Sequence, residues 1–380
     1  MHGRKRLEGP IDPLIISASR KKAEAYRGLS RLAFKQSFGL ESFSLSSALA
    51  ALLGEGSDVS AQLLSLNPEL YSLWNHRRRL IIRVSTSANT DGTETPSTES
   101  SKTNEDSASS SNLIISSAKL LERELVVTEA AIKKNPKSYH AWHHRRWSLT
   151  TLCGLGSTST SLLIPNTSFF NYASQELSLS ENLFILDERN FHCWNYRRWI
   201  ADSLAAQQTS KDESLRTELE YTLSCIHRNF SNYSAWHQRS CLLAQRASPF
   251  PVSFPDLVQE LALVRKAVFT EPDDQSPWFY RRWVIAELCK HLAVEVVNKQ
   301  FEEIRSTLVE DCAHLQTLIE AEPRCRWPVS ALVHTQQVFD SYTREKQASS
   351  LLGGDVTLEH LIHKLIDLDP LRVRYYEHLL

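Results

Sequence analysis

Two groups of residues in this 380-residue chain have types and spacings that could do chemistry. The first is His140, His143 and His144, which at i, i+3 and i+4 of a helix could turn two imidazoles toward a metal. No Cys, Asp or Glu joins them at ligand spacing and no HEXXH pattern is present, so no metal site is expected in this chain. Asn75-His76 and Asn195-Tyr196 fill the same slots elsewhere, which makes His143 and His144 repeat residues. The second is Lys137, immediately after Asn135-Pro136, where a helix should begin. Helix N-termini favour anions, so a cation there opposes the dipole yet could help to hold an anionic group. At the equivalent place other blocks have Glu69, Arg189 and Asp273, so no scaffold role demands Lys; a solvated lysine is the alternative. The chain has neither a Gly-rich phosphate loop nor a nucleophile elbow.

What positions these residues is a block read five times: NPELYSLWNHRRR from Asn67, NPKSYHAWHHRRW from Asn135, DERNFHCWNYRRW from Asp187, NFSNYSAWHQRSC from Asn229 and EPDDQSPWFYRRW from Glu271. Trp74, Trp142, Trp194, Trp236 and Trp278 each have an Arg three residues on: Arg77, Arg145, Arg197, Arg239 and Arg281. Their intervals are 68, 52, 42 and 42 residues, with Trp327 opening a degenerate sixth block. A period near 42 holds two helices and their turns. Amphipathic runs precede the blocks; in one, Leu121, Leu125, Thr128 and Ile132 recur at three and four residues. Asn-Pro or an acidic cluster then ends one helix and starts the next. The reading is all-α: a solenoid of helical hairpins, each too small to bury its own apolar face. Within the second helix Trp and Arg share a face, so Trp is expected to wedge between hairpins, with the Arg plane stacked on it and bonded to the neighbouring turn.

Two stretches interrupt the period. Residues 85–112 are more than half Ser and Thr without a bulky apolar side chain, and are expected to be a disordered insertion. Residues 154–170 form a shorter one, and residues 1–20 a basic, mobile arm ahead of a repeat domain over 21–380. A formal net charge of −1 argues against general nucleic-acid binding, and no apolar stretch reaches membrane-spanning length. Seven cysteines without a C-x-x-C pair read as reduced thiols, and the opening lacks a signal core, which together point to the cytoplasm.

The blocks NPKSYHAWHHRRW, DERNFHCWNYRRW, RNFSNYSAWHQRSCLL and DDQSPWFYRRW, with EPRCRW and DPLRVRYYEHL later, resemble protein prenyltransferase α subunits from about Tyr26 onward. They are more similar to the branch serving Rab geranylgeranyltransferase (type II) than to the shared farnesyl/type I branch. The resemblance implies a right-handed superhelical solenoid (an α-α superhelix), an α subunit wrapped around a prenyltransferase β subunit that holds the zinc, with no cofactor in this chain. It implies geranylgeranyl diphosphate at the α/β interface and a Rab GTPase, presented by Rab escort protein, as acceptor. The chain ends where longer animal members carry extra domains, so it resembles the compact form. Carried over residue by residue, Lys137, Tyr139 and His192 would face the departing diphosphate. Tyr139 is also explained by packing, since Tyr71 and Tyr233 share its place; His192 stands where blocks one, two and four have Ser72, His140 and Ser234, and could equally be a capping histidine. His2, on the arm, could reach the partner's zinc. The alternative outside the enzyme class, a tetratricopeptide-type scaffold, requires a 34-residue period that is absent.

Overall fold

The computed structural model describes residues 21, 23–29, 31, 58–90, 105–155, 169–207, 211–245, 252–292, 298–343, 349–353 and 356–380. The chain divides into two compact units, Met1–Gln207 and Gln208–Leu380. Among the described residues every regular element is helical. The first unit contains α1 (Val59–Leu66), α2 (Tyr71–Thr90), α3 (Glu105–Lys134), α4 (Tyr139–Cys153), α5 (Phe169–Leu186) and α6 (Phe191–Gln207). The second contains α7 (Lys211–Arg228), α8 (Tyr233–Ala244), α9 (Phe254–Thr270), α10 (Gln275–Lys290), α11 (Asn298–Ala321), α12 (Arg326–Thr343), α13 (Leu358–Leu368), a 3-10 turn (Pro370–Arg372) and α14 (Val373–Glu377). Odd- and even-numbered helices pair as hairpins through α12. Within a unit the even-numbered helices stack in succession, α2 on α4 on α6, and α8 on α10 on α12.

Four-residue turns make the hairpins, and their sequence explains them. The side-chain oxygen of Asn67, Asn135, Asp187 or Asn229 accepts from the backbone N–H two residues on, at 3.0–3.1 Å, which bends the chain away from the helix. Ser138, Asn190, Asn232 and Asp274 then cap the next helix by accepting from its first free N–H groups. Three turns are held to the one before, within their own unit. Ser138 Oγ donates to the Pro68 carbonyl, Asn190 Nδ2 to the Pro136 carbonyl and Ser276 Oγ to the Ser231 carbonyl, at 2.9–3.2 Å.

The five tryptophans have one geometry. The indole N–H of Trp74, Trp142, Trp194, Trp236 and Trp278 donates to the carbonyl six residues earlier, that of Pro68, Pro136, Glu188, Phe230 and Pro272, at 2.6–2.8 Å. Each indole thus locks its own turn. Three of them meet the next hairpin with their faces: Trp74 packs on His144, Trp142 on Tyr196 and Trp236 on Tyr280, with centroids 4.8–5.0 Å apart. Losing such a ring from a packed core costs about 3–5 kcal/mol.

The arginines do something other than stack on these tryptophans. Arg77 on α2 is fully buried and bonds Glu124 on α3 and Asp58 before α1. Arg145 on α4 grips Glu176 on α5 with two bonds of 2.7 Å, and Arg239 on α8 grips Glu260 on α9 at 2.6 and 2.8 Å. Arg281 on α10 bonds Asp311 and Thr335, and Arg197 reaches Glu181 on α5 at 3.3 Å. A buried guanidinium is tolerated only with a hydrogen-bonded anion, and a carboxylate satisfies that demand where an aromatic face does not. The stacking role falls to the next arginine: Arg78 lies over Trp147 and Arg146 over Trp199, at 4.8 and 4.9 Å.

Three of these acids also take a bond from their own hairpin. His144 Nε2 meets Glu124 at 2.8 Å, while Tyr196 and Tyr280 donate to Glu176 and Glu260 at 2.7 Å. Burial alone would raise the Glu124 carboxyl, but Arg77 and the His144 bond outweigh it and hold it at about 2. Burial, then the adjacent carboxylate, pushes the Tyr196 and Tyr280 hydroxyls far up, so both remain donors.

Two sequence expectations are revised. Trp327 does not occupy the wedge: in the turn-to-helix register that place belongs to the buried Val329, and Trp327 lies at the start of α12 beneath Arg326, 4.4 Å away. Within residues 85–112, residues 85–90 and 105–112 are helical ends of α2 and α3; residues 91–104 lie outside the described residues. A packed helix propagates outward cheaply once nucleated, and Ser and Ala tolerate it. Of the second interruption, Gly154 closes α4 with a φ of 65° and Phe169 opens α5; residues 156–168 lie outside the described residues, as do residues 1–20 with His2. Leu121, Leu125, Thr128 and Ile132 are all buried.

Candidate functional site

The turn edge of the second and third hairpins brings Lys137, Tyr139 and His192 together. Lys137 sits in the turn between α3 and α4, its backbone N–H donating to Asn135 Oδ1. Its side chain is 67% exposed, and Nζ lies 3.2 Å from Asp187 Oδ2 in the next turn. Tyr139, the first residue of α4 and 65% exposed, meets His192 edge-on with centroids 4.2 Å apart. His192, the second residue of α6, is only 7% exposed and lies against Phe191 at 4.0 Å. Its backbone N–H donates to Asn190 Oδ1, which anchors the start of α6. Burial depresses the His192 imidazole; Glu69 opposes that and Lys137 adds to it. The result is a lip with one ammonium, one phenol and one neutral imidazole.

Sequence reasoning missed the acids that frame this lip. Glu69, in the turn before, accepts from Asn135 Nδ2 at 3.0 Å and lies within electrostatic range of His192. Asp187 stands where blocks one, two and four have Asn, and that charge was the available signal. The three clustered histidines part ways: His144 goes to Glu124, His143 Nδ1 lies 3.2 Å from Arg78 Nη2, and His140 faces Tyr71. Among the described residues no three His, Cys, Asp or Glu side chains are grouped to hold a metal. None of the seven cysteines is in a disulfide, and burial pushes the Cys193, Cys289 and Cys312 thiols up to about 12, far from nucleophilic thiolates. Among the described residues no helix is long and apolar enough to cross a membrane.

Such an arrangement can bind and stabilise an anion at an exposed edge, but supplies no nucleophile of its own. The fold defines a class: stacked helical hairpins locked by Trp-x-x-Arg. The profile of the protein prenyltransferase alpha subunit repeat matches residues 58–83, 121–152, 173–204, 215–246 and 257–288. The geranylgeranyl transferase type-2 subunit alpha of Schizosaccharomyces pombe is 30% identical over 384 residues, covering 98% of this chain and 95% of that protein. Its Saccharomyces cerevisiae counterpart is 28% identical, with 84% and 83% covered. The Rattus norvegicus protein of the same name is 36% identical over 253 residues, 65% of this chain; the matched region spans 36% of the rat protein's length. A solved structure of Candida albicans protein geranylgeranyltransferase-I complexed with GGPP superimposes with a TM-score of 0.51 at 16% identity, covering 88% of this chain and 87% of that one; the likeness is one of fold. The chain belongs to the protein prenyltransferase α-subunit family.

Proposed function

We propose that this chain is the α subunit of a type II geranylgeranyltransferase heterodimer, in which it helps transfer geranylgeranyl from its diphosphate to C-terminal cysteines of Rab GTPases presented by Rab escort protein. The type-2 names of the yeast relatives, aligned along nearly the whole chain, support the class. The observation that carries the role is the lip, where the exposed Lys137, which follows no repeat rule, stands beside Tyr139 and the buried His192 ring. In this reading the β subunit binds zinc, which would activate the acceptor thiolate. This chain's residues act on the other half of the reaction. Charge grows on the diphosphate as its bond to the isoprenoid carbon breaks, and a fixed ammonium stabilises that charge where it develops. The neutral His192 ring can donate a hydrogen bond to the same oxygens, with Tyr139 covering it. The test is co-purification with candidate β subunits, followed by transfer assays on escorted Rab, CAAX-farnesyl and CAAX-geranylgeranyl acceptors. Transfer to Rab only is expected; transfer to CAAX acceptors with none to Rab overturns the reading.

A further inference from the structure

We propose that Asp187 is a positioning residue for Lys137: it holds the ammonium in a paired resting state on the lip, and an incoming diphosphate binds by taking the ammonium from it. This rests on the anion-stabilising role proposed above for Lys137. Four contacts make the pairing a property of the fold. Asp187 Oδ1 is committed to the Arg189 backbone N–H, which leaves Oδ2 turned to Lys137 at 3.2 Å. Asn135 is clamped at both ends of its amide, accepting from the Lys137 N–H and donating to Glu69, so the lysine's turn is fixed as well. Asn190 Nδ2 donates to the Pro136 carbonyl, which keeps the two turns at constant separation. The ammonium on its four-carbon stem is therefore the mobile part between two rigid turns.

The pair is exposed enough to be weak and to exchange readily. Its carboxylate offers a single charge, whereas a diphosphate offers several oxygens and more charge, so exchange favours the ligand. After the exchange Asp187 Oδ2 is left to solvent. Asp187 thus weakens ground-state anion binding slightly while keeping Lys137 in place between turnovers.

The experiment uses the full chain in complex with its β subunit and inorganic diphosphate as the probe, competing against the lipid substrate. Asp187→Asn should lower the inhibition constant of inorganic diphosphate by about 2- to 5-fold, the range of an exposed pair. Asp187→Glu should stay close to the parent. In a Lys137→Ala background Asp187→Asn should lose most of its effect, because the two residues act through one contact. An unchanged inhibition constant in Asp187→Asn, with Lys137→Ala still weakening diphosphate, overturns the pairing and leaves the role of Lys137 standing. The same gain with Lys137 removed makes Asp187 a repulsive charge only, which also overturns it. No effect of Lys137→Ala removes the reading beneath both.

Discussion

The buried joints between hairpins and the exposed turn edge are built from the same repeat, yet obey opposite rules. At the joints residue type recurs with place: an Arg from one hairpin enters an acid of the next, as Arg145 does Glu176 and Arg239 does Glu260. At the edge residue type wanders, so that Glu69, Lys137, Arg189, Ser231 and Asp273 occupy one structural position. Burial explains the difference. An unpaired charge cannot be sustained inside, so each joint must keep its partners; at the edge water accepts any side chain, and choice is left to function. In a repeat protein, recurrence therefore marks the scaffold and departure from it marks candidate chemistry.

The contrast can be broken most forcefully at a joint. Glu176→Ala leaves the Arg145 guanidinium buried and uncompensated and strips Tyr196 of its acceptor. It should cost about 3–5 kcal/mol in denaturant unfolding of the assembled complex, and a loss below about 1 kcal/mol would mean the joint carries no load. Trp236→Phe keeps most of the apolar bulk but orphans the Phe230 carbonyl, and should cost about 1–3 kcal/mol. Tyr233→Ala, on the edge three residues earlier, should stay within about 0.5 kcal/mol in the same titration.

Acid should distinguish the two regions as well. Burial, then Arg282 and Arg281, push the His334 imidazole down to about 4 from its ordinary 6.5. The folded ring is neutral where the unfolded one binds a proton, so this contribution is complete above about pH 6.5 and is lost as pH falls toward 4. The expected loss is on the order of 1–2 kcal/mol, below the full linkage value because the ring keeps some solvent contact. His334→Gln should flatten the stability profile across that window; an unchanged profile would place the acid sensitivity elsewhere.

The hairpins were legible because their signals are local: Asx and Pro at the turns, an apolar stripe before them, and Trp in fixed phase. The acids were not. Glu124, Glu176 and Glu260 each stand 20 residues before the residue they meet in their own hairpin, His144, Tyr196 and Tyr280, a spacing that was available to read. Their distances from the arginines they receive are 47, 31 and 21 residues, because inserted segments lengthen the path without changing the contact. Sequence spacing alone therefore pairs each arginine with the nearest aromatic. Trp327 misled for a related reason, since composition identified the ring while register places Val329 in the wedge. At the edge Lys137 is recognisable as a departure from local preference, and Asp187 as a charge where blocks one, two and four have Asn, but only the structure brings the two turns side by side and pairs them.

Lys137→Ala separates scaffold from chemistry most directly. Its effect on unfolding should be the smallest of all, within about 0.5 kcal/mol, because the side chain is exposed and its ion pair is weak. The decisive measurement is single-turnover transfer of geranylgeranyl to an escorted Rab by the assembled complex, alongside a binding titration of the diphosphate lipid. If Lys137 meets the leaving group chiefly as charge accumulates, the transfer rate should fall about 10- to 30-fold while lipid affinity changes by less than about 3-fold. A parental transfer rate in a normally assembled Lys137→Ala complex would contradict the account and return the lip to solvated surface.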